Sequence, residues 1–327
     1  MTNSADIIPS TAPSRTFKGH EDLVQAVAVF PDGRRMVTGS RDKTLRLWNL
    51  KDGSLLKKME GHTSGIIAVT VSRDGELIAS GDRKGKLIAW RGDYGESLTK
   101  AIKVHDFICS LDFSPDGSIL ASGSYDKTTK LWNTKTWQQQ GNPIDCGAEV
   151  QCVRYSPSGE HLAIATYANI QIWNPGTSEC IANFEAHAAV YFAGNLSLAW
   201  TPDGTRLLSG GSSSDPTIRE WDTSTWKQVG DSWSGHTDDV NAIAVNPDGT
   251  LVASASHDNQ VRLWRLSDRQ TIAIFKHSNP VLYATFSTDG MHILSGGMDH
   301  EISEWAVPEG ALPDPKASFP PLTLMTI

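Results

Sequence analysis

Seven tryptophans, Trp48, Trp90, Trp132, Trp173, Trp221, Trp264 and Trp305, close seven copies of one phrase and are separated by 42, 42, 41, 48, 43 and 41 residues. The clearest copies read GSRDKTLRLW, GSYDKTTKLW, ASHDNQVRLW and GGMDHEISEW; SSDPTIREW is close, and GDRKGKLIAW and ATYANIQIW are degenerate. Self-similarity at a fixed period of this size means an array of one supersecondary unit, because a single unit cannot bury its own apolar face. The period is too long for ankyrin or leucine-rich repeats and suits a four-stranded blade.

Each unit reads as strands. In the first, LVQAVAVF is a β-rich run, PDG a tight turn and RRMVTGS a second strand; RDK then turns into TLRLWNL, and KDG turns into SLLKKMEG. The PDG turn recurs as SRDG, SPDG, SPSG, TPDG, NPDG and STDG. Pro or a polar residue before Asp-Gly supplies the fixed and the positive φ that such hairpins need. Short strands with turns at this spacing define an all-β chain. The expected architecture is a seven-bladed β-propeller of four-stranded antiparallel blades, whose radial arrangement leaves few free sheet edges.

The Gly-His near the start of most units and the Trp-Asn or Trp-Asp at their ends (Trp48-Asn49, Trp132-Asn133, Trp221-Asp222) resemble the WD-repeat family over residues 15–307. The closely matching repeats are similar to stand-alone fungal-type WD-repeat proteins and to the sensor repeats of some NACHT-type signalling ATPases. The resemblance implies a hydrogen-bonded His, Ser or Thr, Asp and Trp within each blade. Carried over, the sets are His20, Thr38, Asp42 and Trp48 in blade one and His105, Ser122, Asp126 and Trp132 in blade three. Blade five has His187, Ser209, Asp215 and Trp221, and blade six His236, Ser254, Asp258 and Trp264; blade seven has His277, Ser295, Asp299 and Trp305. The residue types suit one another: the indole N–H needs an acceptor, the hydroxyl passes its own proton to one imidazole nitrogen, and the other nitrogen donates to the carboxylate. Blade two keeps His62, Ser80 and Trp90 but has Lys84 at the Asp position. Blade four keeps Trp173, has Tyr167 at the Asp position and has no Gly-His before it. Apolar packing is therefore expected to hold these two blades.

The last repeat stops soon after Trp305, and Ser14–Lys18 stands where a fourth strand would precede the first Gly-His. In the family such an N-terminal strand completes the last blade and closes the ring, so removing residues 1–18 is expected to harm the fold far more than removing 312–327. The domain reading is a disordered Ser/Thr/Pro-rich N-terminus over 1–13, a propeller over 14–307, and a Pro-rich tail over 308–327 ending in the apolar FPPLTLMTI. Blade five is enlarged at HAAVYFAGNLS and GGSSSD.

The chain carries a net charge of −8, which argues against general nucleic-acid binding. Residues 1–103 nevertheless carry 17 Lys/Arg against 12 Asp/Glu, leaving 12 against 25 for the remainder. The first two blades are thus a basic sector on an acidic ring. No apolar run reaches the length of a membrane span, and MTNSADIIPSTAPSR lacks the pattern of a secretory signal. Four scattered cysteines without CxxC spacing suit reduced thiols in the cytoplasm, with the nucleus as the alternative. His161, His257, His292 and His300 lie outside the repeat position and show no metal-ligand spacing, and neither GxSxG nor a phosphate-binding GxxxxGK[ST] occurs. No cofactor, metal or catalytic residue is therefore expected. The family resemblance instead implies a protein-binding upper face. Its positions here are Arg41, Tyr125, Ser214, His257 and Met298, with Arg83 and Tyr167 in the degenerate blades, and Phe107, Asp239 and Tyr283 from the early first strands. Arg, Tyr, His and Met are residue types found at interfaces. The expected role is a scaffold or adaptor, monomeric on its own, for proteins or peptides. A substrate-receptor subunit of a larger machine (a ubiquitin ligase or NACHT-like assembly) and a propeller enzyme are the alternatives.

Overall fold

The structure is a computed structural model and describes residues 8–10, 12–187 and 195–311. The described residues form seven sheets, each built on four antiparallel strands that run in sequence order from the middle of the ring outward in blades one to six. In blade one these are Val24–Val29, Arg35–Ser40, Leu45–Asn49 and Leu55–Met59. The first strand of every blade packs against the first strands of both neighbours, and Val281–Phe286 of blade seven meets Val24–Val29 of blade one. This contact closes the ring around a central channel. Among the described residues no helix is long and apolar enough to cross a membrane.

The N-terminal strand closes blade seven as expected. Arg15–Phe17 pairs antiparallel with the third strand of blade seven in the register Arg15↔Glu304, Thr16↔Ser303 and Phe17↔Ile302. Phe17 is 1% exposed and meets Trp48 of blade one edge-on at 5.8 Å. One short strand therefore joins the last blade to the core of the first. The outer strands of blades two and five are short, Ile102–Lys103 and Lys227–Gln228, so those rims are irregular. Blade six instead gains a fifth strand: Ile8–Ser10, inside the stretch read as a disordered terminus, runs parallel to Thr271–Lys276. The rest of that stretch up to residue 7, residue 11, the loop over 188–194 and the tail from 312 lie outside the described residues.

Apolar side chains fill the space between sheets. Leu87 and Ala79 of blade two pack with Leu111, Phe113, Leu120 and Trp132 of blade three, and equivalent clusters recur around the ring. Because both faces of a blade are covered, its inner three strands are buried on both sides, while the fourth is largely exposed.

Candidate functional site

Within a blade the polar set lies between strands and fixes the end of the sheet that faces upward, where the first strand begins. In blade one the Trp48 Nε1–H donates to Thr38 Oγ1 at 2.9 Å, Thr38 Oγ1 lies 2.8 Å from His20 Nε2, and His20 Nδ1 lies 2.7 Å from Asp42 Oδ2. The carboxylate also accepts from the N–H and hydroxyl of Thr44, which pins the turn between the second and third strands. The same geometry joins His105, Ser122, Asp126 and Trp132, with distances of 2.8–2.9 Å. It recurs in His187, Ser209, Asp215 and Trp221, in His236, Ser254, Asp258 and Trp264, and in His277, Ser295, Asp299 and Trp305. Burial pushes Asp42 up, but the His20 and Thr44 hydrogen bonds outweigh it and hold the carboxyl well below its usual range. Burial lowers His105 and His236, against the opposing pull of their Asp partners.

Two expectations are corrected. Blade two does not depend on apolar packing alone, because Asp82 supplies the carboxylate two residues earlier in the chain than Lys84. Its Oδ2 lies 3.0 Å from His62 Nδ1, while Ser80 Oγ accepts from Trp90 and lies 2.7 Å from His62 Nε2. Asp82 is the last residue of its strand, the position of Ser40 in blade one: Ile66↔Asp82 matches Val24↔Ser40. It is buried, and its Oδ1 accepts the N–H groups of Lys84 and Lys86, so one side chain spans the turn that Ser40 and Asp42 share in blade one. Blade four also has a polar substitute. Ile164 replaces the hydroxyl, and the Trp173 Nε1–H donates instead to Gln171 Oε1 at 3.0 Å, whose Nε2 donates to the Cys146 carbonyl at 2.8 Å. The turn after Thr166 is one residue shorter than in blade one, since Ala165↔Ile170 corresponds to Gly39↔Leu45. Tyr167 is therefore not at the Asp position but at that of Arg41.

The turn residues form a matched set at this upper end. The N–H groups of Arg41, Arg83, Tyr167, His257 and Met298 donate to the carbonyls of Leu23, Gly65, Glu149, Asp239 and Pro280, each just before a first strand. Tyr125 directly follows Ser124, which pairs with Ile108 as Ser40 pairs with Val24, and Phe107 stands at the Asp239 position of its own blade. Phe107 and Tyr125 stack at 4.6 Å with 6° between their planes, and Tyr167 follows at 6.0 Å from Tyr125. The Arg83 guanidinium lies 5.8 Å from the Phe107 ring, so a cation–π contact extends this row onto blade two. Tyr125 is 40% exposed. Burial, and then the Tyr167 hydroxyl, hold its phenol neutral well above the usual range.

The opposite arc is polar. His257 Nδ1 lies 3.3 Å from Asp239 Oδ2, and Asp239 Oδ1 accepts the Ser213 N–H at 2.6 Å. The Asp239 hydrogen bond raises His257, and the same bond lowers Asp239. Ser214 pairs with Ser212 at 2.9 Å, and Arg41 sits 3.9 Å from Asp22 in an exposed pair. Tyr283 does not join the face. It is the third residue of the blade seven first strand, three beyond Pro280, and lines the channel below. Among the described residues no group of three or more His, Cys, Asp or Glu is placed to hold a metal ion.

Fold and geometry together define a seven-bladed propeller whose blades are fastened by Trp-centred hydrogen-bond sets. The chain belongs to the WD40 family: its model (WD domain, G-beta repeat) matches residues 11–49, 53–91, 96–133, 178–222, 227–265 and 269–305. Blade four, where the histidine and the hydroxyl are replaced, falls between the matched segments. The chain is similar to Periodic tryptophan protein 2 of Arabidopsis thaliana, at 28% identity over 220 residues, covering 54% of this chain and 23% of that protein. It is also similar to the Serine-threonine kinase receptor-associated protein of Gallus gallus, at 28% over 163 residues, covering 50% and 44%. Protein FIZZY-RELATED 3 of Arabidopsis thaliana matches at 28% over 163 residues, covering 49% and 33%. The chain spans less than half the length of each of these relatives.

Proposed function

We propose that this protein is a non-catalytic interaction scaffold whose partner, a protein or peptide, docks on the upper face over blades two to four. The observation that carries this reading is the row Arg83–Phe107–Tyr125–Tyr167, which places a cation and three aromatic rings side by side across three blades. Aromatic side chains and arginine on a rigid platform are the groups that dominate interface energetics, because they cover area with little entropy to lose. Blades one and two carry the excess of basic residues, so acidic residues in the partner would meet Arg41 and Arg83. One relative is named for association with a receptor, which fits a binding role. A cytoplasmic or nuclear setting and a monomeric free state accompany the proposal. The test is affinity capture with the full chain and with Phe107→Ala/Tyr125→Ala. Loss of the partners retained by wild type, with unchanged circular dichroism, is expected; capture of the same partners in the same amounts overturns the upper-face reading.

A further inference from the structure

The central channel contains a cavity of about 230 Å³ lined by Gln25, Cys109, Gln151, Arg154, Asn241 and Tyr283, among others. Arg154 is the fifth residue of the blade four first strand. The matching positions in the other blades are Ala28, Thr70, Asp112, Ala199, Ala244 and Thr285, which are mostly small. Arg154 is thus the one long cation of that ring of positions, and it lines the cavity. Nη1 donates to the Val153 carbonyl at 2.8 Å and to Ser110 Oγ at 3.2 Å, but Arg154 makes no ion pair within 4.0 Å among the described residues. Asp112 is the acidic group whose charge it feels, yet that carboxylate is committed to the Tyr155 N–H at 2.7 Å, and burial pushes Asp112 up. Two amides complete the lining. Gln25 Oε1 is buried and has no hydrogen-bond partner, while the Gln151 amide stands beside the Tyr125 hydroxyl.

A desolvated guanidinium with no ion pair in contact gains when an anion with matching oxygens reaches it. We propose that the channel binds a small oxyanion, a phosphate or carboxylate group, with Arg154 donating and Gln25 accepting from a protonated oxygen. Gln25 favours a group that keeps one O–H, such as hydrogen phosphate. The cavity lies beneath the aromatic row, and the proposal stands whether or not a partner docks there.

The probe is inorganic phosphate, titrated calorimetrically into the full chain at ionic strength held constant with chloride. Wild type is expected to bind at one saturable site, Arg154→Met to weaken binding at least tenfold, and Arg154→Lys to fall between them. Phosphate should raise the melting temperature of wild type and leave that of Arg154→Met unchanged. Equal phosphate affinity in wild type and Arg154→Met, or no saturable binding by wild type, overturns the proposal. Should Arg154→Met fail to fold, Gln25→Leu serves as the second variant, with a weakened phosphate response expected and an unchanged one counting against the site. The source of the group is read by competition: displacement of phosphate by glutarate points to a free anion, and displacement only by a glutamate-containing peptide points to a side chain inserted from a docked partner.

Discussion

The assignment of Asp82 in place of Lys84 makes blade two the sharpest test of how the blades are fastened. Replacing Asp82 by Ala removes the acceptor of three donors: His62 Nδ1, Lys84 N and Lys86 N, at 3.0, 2.9 and 2.9 Å. A buried donor left unpaired costs about 1–3 kcal/mol. His62 is buried and pays in full; the two backbone groups lie under an exposed Lys84 and a half-buried Lys86, where water can replace part of the loss. The expected destabilisation is therefore about 3–5 kcal/mol, the range for breaking a buried polar pair. Lys84→Ala, at an exposed side chain, should cost less than about 0.5 kcal/mol, and Lys84→Asp should not stabilise, because the carboxylate it supplies is already present. The double change Asp82→Ser/Lys84→Asp restores the Ser40-x-Asp42 arrangement of blade one and should recover to within about 1 kcal/mol of wild type. Urea unfolding followed by tryptophan fluorescence and circular dichroism gives the midpoints, compared at common slope. If Asp82→Ala shifts the midpoint no more than Lys84→Ala does, or if the double change is no better than Asp82→Ala, the assignment is wrong.

Phe17→Ala should cost about 3–4 kcal/mol, as full truncation of a buried Phe does, and should raise the unfolding rate by opening the ring at its closing strand; an unchanged melting temperature would contradict the closure seen here. Gly85→Ala should be among the most harmful turn substitutions, because Gly85 has φ of +68° and an added Cβ would stand 1.8 Å from the His105 carbonyl oxygen; thermal melts within 1 °C of wild type would count against it. Stability should fall with pH in two stages. His105 and His236 are lowered in the fold, so their contribution is complete above the unfolded value near pH 6.5 and drains away as pH falls below it. Asp42, Asp82, Asp126, Asp215, Asp258 and Asp299 are lowered too, and their contribution is lost below about pH 4, where the unfolded carboxyl takes up its proton. Urea midpoints that stay flat from pH 7 to 3 would refute both stages.

The fold was readable because it is written seven times. The Trp spacing, the Asp-Gly turns and the missing fourth strand of the last repeat each point to the same closed ring, and in-phase repetition protects such a reading from error in any single copy. Where one copy departs, alignment to the others misleads. Asp82 was hidden because it stands where the other blades carry a small residue such as Ser40 or Ser256, and only the reach of its side chain back across the turn shows that it meets His62. A carboxylate ending a buried strand was the available signal. Gln171 was hidden because it replaces a hydroxyl on a different strand, and Tyr167 was placed one position out because a turn had lost a residue. Tyr283 stands three residues beyond the position of Phe107 and Asp239, far enough along the first strand to carry its side chain from the face to the channel. Arg154 had no signal in the repeat pattern at all, since channel positions are free to vary.

The departures in blade four are physically connected. A histidine at the blade entrance requires both a hydroxyl and a carboxylate, since each imidazole nitrogen must be paired when buried. Once the histidine is absent, the hydroxyl position can become Ile164 and the turn no longer needs an Asp. The indole of Trp173 still needs an acceptor, which Gln171 provides from two residues earlier on the same strand. A turn released from holding a carboxylate can shorten, and the shortened turn of blade four brings Tyr167 beside Tyr125 with 3.5 Å between their hydroxyls. The blade that strays furthest from the family pattern thus supplies one end of the aromatic row. A repeat under structural constraint alone would be expected to conform; this one gives up its histidine, still pairs its indole N–H, and changes the surface it presents.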